Sequence, residues 1–155
     1  MNNGVTIRAL AEGGAVRIVA VDLTEAACEA VKRHGLSGGA VRLLCESMSA
    51  AALLSAHIKG TERVMLQIQA SEPRSSVLVE VGADGQARAR MRPPWLPNLG
   101  DGSVKGIAVV IKSDESHELY RGATEIADET IESALCKHLS VSAQIDAFVR
   151  IAFEE

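Results

Sequence analysis

The 155-residue sequence predicts an α+β fold: a mostly antiparallel sheet of hairpins packed around one buried central helix, in a single domain. Three observations carry that prediction. First, the run from Val41 to Gln69 begins as a helix with almost no polar face. Five apolar residues follow one another from Ala50 to Leu54, and only Ser47, Ser49, Ser55 and His57 interrupt the apolar surface nearby. A surface helix carries a polar face opposite its apolar stripe, so this one is expected to be gripped on most sides. Second, from Glu62 the period changes to two, with Val64, Leu66 and Ile68 facing one way and Met65, Gln67 and Gln69 the other. Third, the strands follow one another through short turns instead of alternating with helices, which favours α+β over a doubly wound parallel sheet.

Gly4 to Leu10 and Ala15 to Leu23 form a predicted hairpin around Glu12-Gly13-Gly14. Thr24 is the expected N-cap of a helix with Glu25 in its first turn, carrying Ala27, Cys28 and Val31 and ending at Gly35. Ser37-Gly38-Gly39 introduces the central helix, and Gly60 is the expected stop at C′. Ala50 to Leu54 should be packed on nearly all sides. Ser71-Glu72-Pro73-Arg74 breaks the strand that follows; Val77, Val79 and Val81 open the next, which Ala83-Asp84-Gly85 turns back into Gln86 to Met91. Arg88, Arg90 and Arg92 share one face of that last strand and are taken as solvated. Pro93, Pro94 and Pro97 make a loop that cannot join a ladder's interior. Val104 to Ile111 and His117 to Ala123 form a further hairpin around Ser113-Asp114-Glu115-Ser116. A helix from Asp128 to Leu139 and a closing strand from Ala147 to Phe153 complete the chain.

Composition narrows the function. One domain of this size buries about 70% of the surface its unfolded chain exposes. With aromatics at 3%, Ala, Val, Leu and Ile must fill the core. A net charge of −4 argues against nucleic-acid binding through phosphate neutralisation. The central helix is too short and too interrupted to span a bilayer, and MNNGVTIRAL lacks the apolar core of a signal peptide. A soluble protein of the cytoplasm is expected, or of an organelle matrix in a eukaryote, with no nucleic-acid or membrane partner.

No catalytic residue and no metal ligand is assigned. Cys28, Cys45 and Cys136 are isolated and odd in number, without the Cys-x-x-Cys spacing of a zinc site, and are read as small core hydrophobes. His34, His57, His117 and His138 lack metal-ligand spacing, and no Gly-x-Ser-x-Gly elbow or phosphate-binding glycine pattern is present. His57, near the C-terminal end of the central helix, is taken as a satisfied or dipole-facing histidine and not a catalyst. An enzyme is therefore not expected. One loop differs in kind: Trp95, the only tryptophan, stands with Leu96 and Leu99 among prolines, where no stripe of a helix or strand accounts for it. Either the loop is tucked onto the core or, because prolines limit the ordering cost of binding and Trp supplies contact area, it is an apolar contact surface with Trp95, Leu96 and Leu99 as its candidate binding residues.

The central helix with its Leu43-Leu44-Cys45-Glu46 opening and Ala50-Ala51-Ala52-Leu53-Leu54 run, then Lys59-Gly60 and the Leu66-Gln67-Ile68-Gln69 strand, resembles the N-terminal domain of the heat-shock protein 33 family of redox-regulated holdase chaperones. Gly106-Ile107-Ala108-Val109-Val110-Ile111 followed by Glu118-Leu119-Tyr120-Arg121-Gly122 resembles that family's strand, loop and Glu-Arg-Tyr-Gln-Gly segment, and the final helix and strand fall in its order. The resemblance implies a stress-response holdase that binds unfolded or partly folded proteins, and a homodimer made by exchanged elements. It also implies a C-terminal domain whose four cysteines hold zinc and act as the redox switch. Residues 1–155 contain neither cysteine pair, so no cofactor is expected in this chain, which is expected to stop short of that family's linker and zinc domain. Thr61 and Glu62 stand where the family carries Asp-Gly, and Arg121 where it carries Gln. Two other readings compete: a small hydrolase or transferase using His117, Asp114 or Ser116, and a structural module whose function is dimerisation.

Overall fold

The computed structural model describes residues 4–154 and shows the expected α+β architecture. Val5–Ala11 (β1) and Val16–Asp22 (β2) form an antiparallel hairpin closed by a 3₁₀ turn at Glu12–Gly14. Helix α1 (Thr24–His34) leads through the two-residue β3 (Ser37–Gly38) into the central helix α2 (Gly39–Ser55). Then come β4 (Arg63–Glu72), β5 (Arg74–Gly82), β6 (Ala87–Arg92), the short β7 (Trp95–Leu96), β8 (Val104–Ser113), β9 (Glu118–Glu129) and α3 (Ile131–Lys137). The main sheet runs β6-β5-β4-β8-β9, antiparallel throughout.

The core lies between that sheet and α2. Val64, Leu66 and Ile68 of β4, and Val77, Val79 and Val81 of β5, point inward as their alternation predicts, against Leu43, Leu44, Met48, Ala50 and Ala51 of α2. Helix α3 covers the β8–β9 side through Ile131, Ala134 and Leu135. Small residues on α2 let it approach the sheet closely, which offsets the shortage of aromatics. Burial is uneven along α2, however: Ala50 to Ala52 are buried, while Leu53 and Leu54 are partly buried against the core.

Several boundaries differ from expectation, each for a local reason. Helix α2 stops at Ser55 and not at Gly60, because Ile58 turns back into the core through its N–H to Ser55 O at 3.2 Å. The left-handed Gly60 (φ 56°) serves the next turn, where Glu62 N donates to Lys59 O and the Glu62 carboxylate accepts from Lys59 N, each at 2.9 Å. Leu23, not Thr24, stands at the N-cap of α1, with no side-chain cap, and Asp22 before it accepts at Oδ1 from Thr24 N at 3.0 Å and from Thr24 Oγ1 at 2.8 Å. Gly35 ends α1 in the left-handed conformation, as expected.

The chain does not loop out at Pro73; β4 and β5 stay paired to Ser71 and Arg74. Strand β9 continues to Glu129, so the last helix begins at Ile131 behind a Thr130 cap and widens into a π turn at His138–Ser142. The closing strand at 147–153 is not formed. Val149 and Ile151 pack on the core with the predicted alternation, but a strand also needs a neighbour, and the Ile151 N–H goes to the Glu132 carboxylate instead.

Candidate functional site

The Trp95 loop rests on a pair of glycines. Strand β7 pairs in parallel with β3, Ser37 opposite Trp95 and Gly38 opposite Leu96. A Cβ on Gly38 would sit 2.2 Å from Leu96 O, and one on Gly39 would sit 2.2 Å from Pro97 O. Only glycines admit the loop this closely, and Gly38 also adopts φ 61°. Ser37 N to Pro94 O (3.0 Å), Gly100 N to Asn98 Oδ1 (2.8 Å) and Arg42 NH1 to Gly100 O (2.6 Å) fix it further.

The three predicted contact residues separate on this frame. Trp95 is 60% exposed, whereas Leu96 is 3% exposed. Leu99 is half-buried against the core. Leu96 is therefore corrected from contact residue to core residue: it is the inward member of the β7 pair, and only the alternate position reaches solvent. The proline-rich stretch is likewise corrected, since two of its residues do join a ladder.

A larger apolar surface was missed. On hairpin β1–β2 the residues Val5, Ile7, Ala9 and Ala11 share a face with Val16, Ile18 and Ala20, by their register of pairing. Ile7 is 60% exposed and Ile18 50%, and Val5 and Val16 are exposed beside them. The only charged member of that face is Asp22, at its end. The opposite face carries Arg8, Arg17 and Leu10, itself 68% exposed, with the half-buried Val19 and Val21, and Arg17 reaches His57 Nδ1 at 2.6 Å. His57 is thus an exposed histidine satisfied by a guanidinium, the first of the two expected readings; partial burial, then Arg17, Arg8 and Lys112, hold its pKa below the ordinary value. The apolar alternation of both strands was visible in the sequence, but which face lacks a cover depends on where α2 lies. The main sheet is also open on its outer side, where Ile107 and Leu78 are exposed among Gln67, Gln69, Glu80 and the Arg88, Arg90 and Arg92 stripe.

The remaining polar groups serve the fold. His117, Asp114 and Ser116 form an exposed turn in which Asp114 Oδ1 accepts the N–H groups of Ser116 and His117, both at 2.7 Å, which lowers its pKa. No nucleophile–base contact arises there. His138 is buried between Thr124 Oγ1 (3.0 Å to Nδ1) and Tyr120 OH (3.3 Å to Nε2), and burial lowers its pKa. A Cβ on Gly122 would lie 2.3 Å from Tyr120 OH and 2.7 Å from His138 Cε1, so Tyr120-Arg121-Gly122 makes room for this contact. Glu46 is buried, with Oε1 bonded to Arg42 Nε at 2.9 Å and Oε2 without a hydrogen bond among the described residues; desolvation raises its pKa against the pull of Arg42. The Phe153 ring covers the Arg42 guanidinium at 5.8 Å.

Cys28 is exposed, and Cys45 and Cys136 are half-buried, so Cys28 departs from the core reading. A structural zinc takes four converging ligands, and no three His, Cys, Asp or Glu side chains gather suitably among the described residues. Nor is any helix among them long and apolar enough to cross a membrane.

Comparison with known proteins agrees with this architecture. The family model described as Hsp33 protein matches residues 5–155. A 33 kDa chaperonin of Synechococcus elongatus is 31% identical over 148 residues, covering 89% of this chain and 50% of that protein. One of Thermus thermophilus is 32% identical over 157 residues, covering 94% and 46%. The crystal structure of the 33 kDa chaperonin (heat shock protein 33 homologue) from Thermotoga maritima matches with a TM-score of 0.80 over 93% of this chain and 52% of that one, at 22% identity. The chain spans about half the length of the curated relatives it matches.

Proposed function

The chain belongs to the heat-shock protein 33 family, and on that premise we propose that it is the family's N-terminal chaperone domain, a holdase that captures unfolding proteins on exposed apolar surface. The observation that carries the reading is the uncovered face of β1–β2, with Val5, Ile7, Val16 and Ile18 exposed side by side. Contiguous exposed apolar patches on soluble proteins mark interaction sites. A flat ribbon of Val, Ile and Ala offers area without a shaped pocket or a fixed set of polar partners, which suits clients of many sequences. Trp95 adds a second anchor held on a stiff loop.

On this reading the domain has no catalytic residue and no cofactor of its own. Its partners are unfolded or partly folded proteins and a second copy of the chain, with neither nucleic acid nor membrane, and its place is the cytoplasm. A role in stress response and redox control through zinc follow from the family and concern the protein as a whole. The test is light scattering of a heat-unfolding reporter at increasing chain concentration, alongside turnover of generic ester and phosphate substrates. Suppressed scattering without turnover is the expected result. Turnover that disappears in a His117→Ala variant would reject the reading in favour of a hydrolase.

A further inference from the structure

Hairpin β1–β2 is a sheet of two strands, and no third strand joins it among the described residues. Helix α2 lies against β2, and burial follows: Val19 and Val21 of β2 are half-buried, whereas every residue of β1 from Val5 to Leu10 is exposed. Strand β1 is therefore the outer strand, and alternate residues along it turn their N–H and C=O groups away from β2 with no strand to receive them. Sheet edges are usually blunted by charge, proline or a bulge. Both edges of the main sheet carry such devices. Strand β6 presents Arg88, Arg90 and Arg92 and runs into Pro93, while β9 is broken in register at both ends and gives its Ala127 N–H to the Glu129 carboxylate at 3.2 Å. Strand β1 has neither proline nor acidic residue, carries Arg8 as its one charge, and pairs without a bulge from Val5 opposite Asp22 to Ala11 opposite Val16. Both faces leave room for a neighbour. On one, Val5, Ile7 and Ala9 continue the apolar ribbon. On the other, Thr6 and Arg8 open on a cavity of about 600 Å³ beside the small Ala26 and Ala30 of α1. Arg8, Arg33 and Arg88 line that cavity against Glu29 and Asp84, which leaves it net positive.

We propose that an unfolded client adds to the outer edge of β1 as a third strand, and that the favoured segments alternate β-branched or other apolar residues with threonine or an acidic residue. This rests on the holdase reading and specifies how that surface takes hold of its client. Main-chain hydrogen bonds are common to every polypeptide, so a free edge supplies affinity without demanding one sequence. Side-chain alternation supplies the preference. One set of client side chains lies beside Val5, Ile7 and Ala9, and the other beside Thr6 and Arg8. Directly opposed residues on neighbouring strands are close enough for a client carboxylate to pair with Arg8, whereas a lysine or arginine there is repelled. A folded protein has few unpaired strands to offer, which restricts capture to chains that have opened.

The test measures, by fluorescence anisotropy, binding of the whole chain to a short labelled peptide alternating valine with threonine and glutamate, and to a copy N-methylated along its centre. N-methylation keeps the side chains and removes the backbone donors. The unmethylated peptide should bind at least roughly tenfold more tightly than the copy. Amide exchange followed by NMR should show alternate N–H groups within Val5–Ala11 gaining protection when it binds. Exchanging its glutamate for lysine should weaken binding severalfold at low salt, and less at high salt. Equal affinity for the methylated copy, or protection gained along β6 or β9 in place of β1, would overturn strand addition. Equal affinity for the lysine copy would overturn the acidic preference. A reduced, carboxymethylated client measured alongside separates this inference from the reading beneath it. If that client binds while the two peptides bind alike, the apolar face holds clients without strand addition; if neither client nor peptide binds, both readings fall.

Discussion

Replacing Leu44 by Ala and, separately, Leu53 by Ala isolates the uneven burial of the central helix. Both residues lie on α2 and both exchanges are identical, so the change in helix propensity is shared. Leu44 is completely buried against the main sheet, whereas Leu53 is only partly buried at the margin of the core. A Leu→Ala change in a closed core loses the transfer energy of the removed atoms and leaves a cavity, so Leu44→Ala should cost about 3–5 kcal/mol. For Leu53 part of the transfer term is already absent and solvent fills the space, which leaves about 1–2 kcal/mol. At this chain length, where each kcal/mol moves Tm by roughly 2–4 °C, Leu44→Ala should lower it by roughly 6–20 °C. Urea unfolding followed by far-ultraviolet circular dichroism, with equal slopes for parent and variants, measures both costs. Equal losses for the two variants would refute the placement of α2.

Two further outcomes follow from the buried polar groups. His138 stays neutral in the fold because burial lowers its pKa, while the unfolded chain binds a proton at its ordinary value. Stability is therefore full above about pH 6.5 and falls below it by up to about 1.4 kcal/mol per pH unit until the folded pKa is passed. His138→Gln should flatten that slope, and an unchanged slope in His138→Gln contradicts the assignment. Arg42→Ala removes the partner of buried Glu46 and should cost about 3 kcal/mol at pH 7. Because burial raises the Glu46 pKa, protonation on lowering the pH relieves the unpaired charge, so the gap between variant and parent should narrow as pH falls; a gap that widens refutes it.

The strand alternation was legible because its period reflects burial directly: Val64, Leu66, Ile68, Val77, Val79 and Val81 all point into the core. Gly35 and the glycine turn of the first hairpin were legible because left-handed backbone leaves few residue choices. What was not legible depended on neighbours. Gly60 carries the same signal for a helix stop as for a turn, and Ile58 decides between them by folding back. Residues 147–153 alternate correctly but have no strand beside them. The candidate site divided in the same way. Trp95 and Leu96 are adjacent in one proline-rich loop, and only the two-residue ladder with Ser37 and Gly38 sends one outward and the other inward. The apolar ribbon at Ile7 and Ile18 was spelled out in the sequence, yet its exposure depends on which face turns to α2.

The central claim, that exposed apolar surface on β1–β2 receives unfolded chains, is tested most directly by binding a permanently unfolded client, reduced and carboxymethylated, to the parent and to Ile7→Asp/Ile18→Asp. Both side chains lie on the exposed face, so the folded domain should lose little stability, and Tm serves as the control. Complete burial of an Ile contributes about 1.5–3 kcal/mol, of which an exposed fraction of 60% or 50% leaves about 1–2 kcal/mol for client contact at each position. The account predicts that the double variant binds the client at least roughly tenfold more weakly by fluorescence anisotropy, at unchanged Tm. Equal affinity for parent and double variant would contradict it.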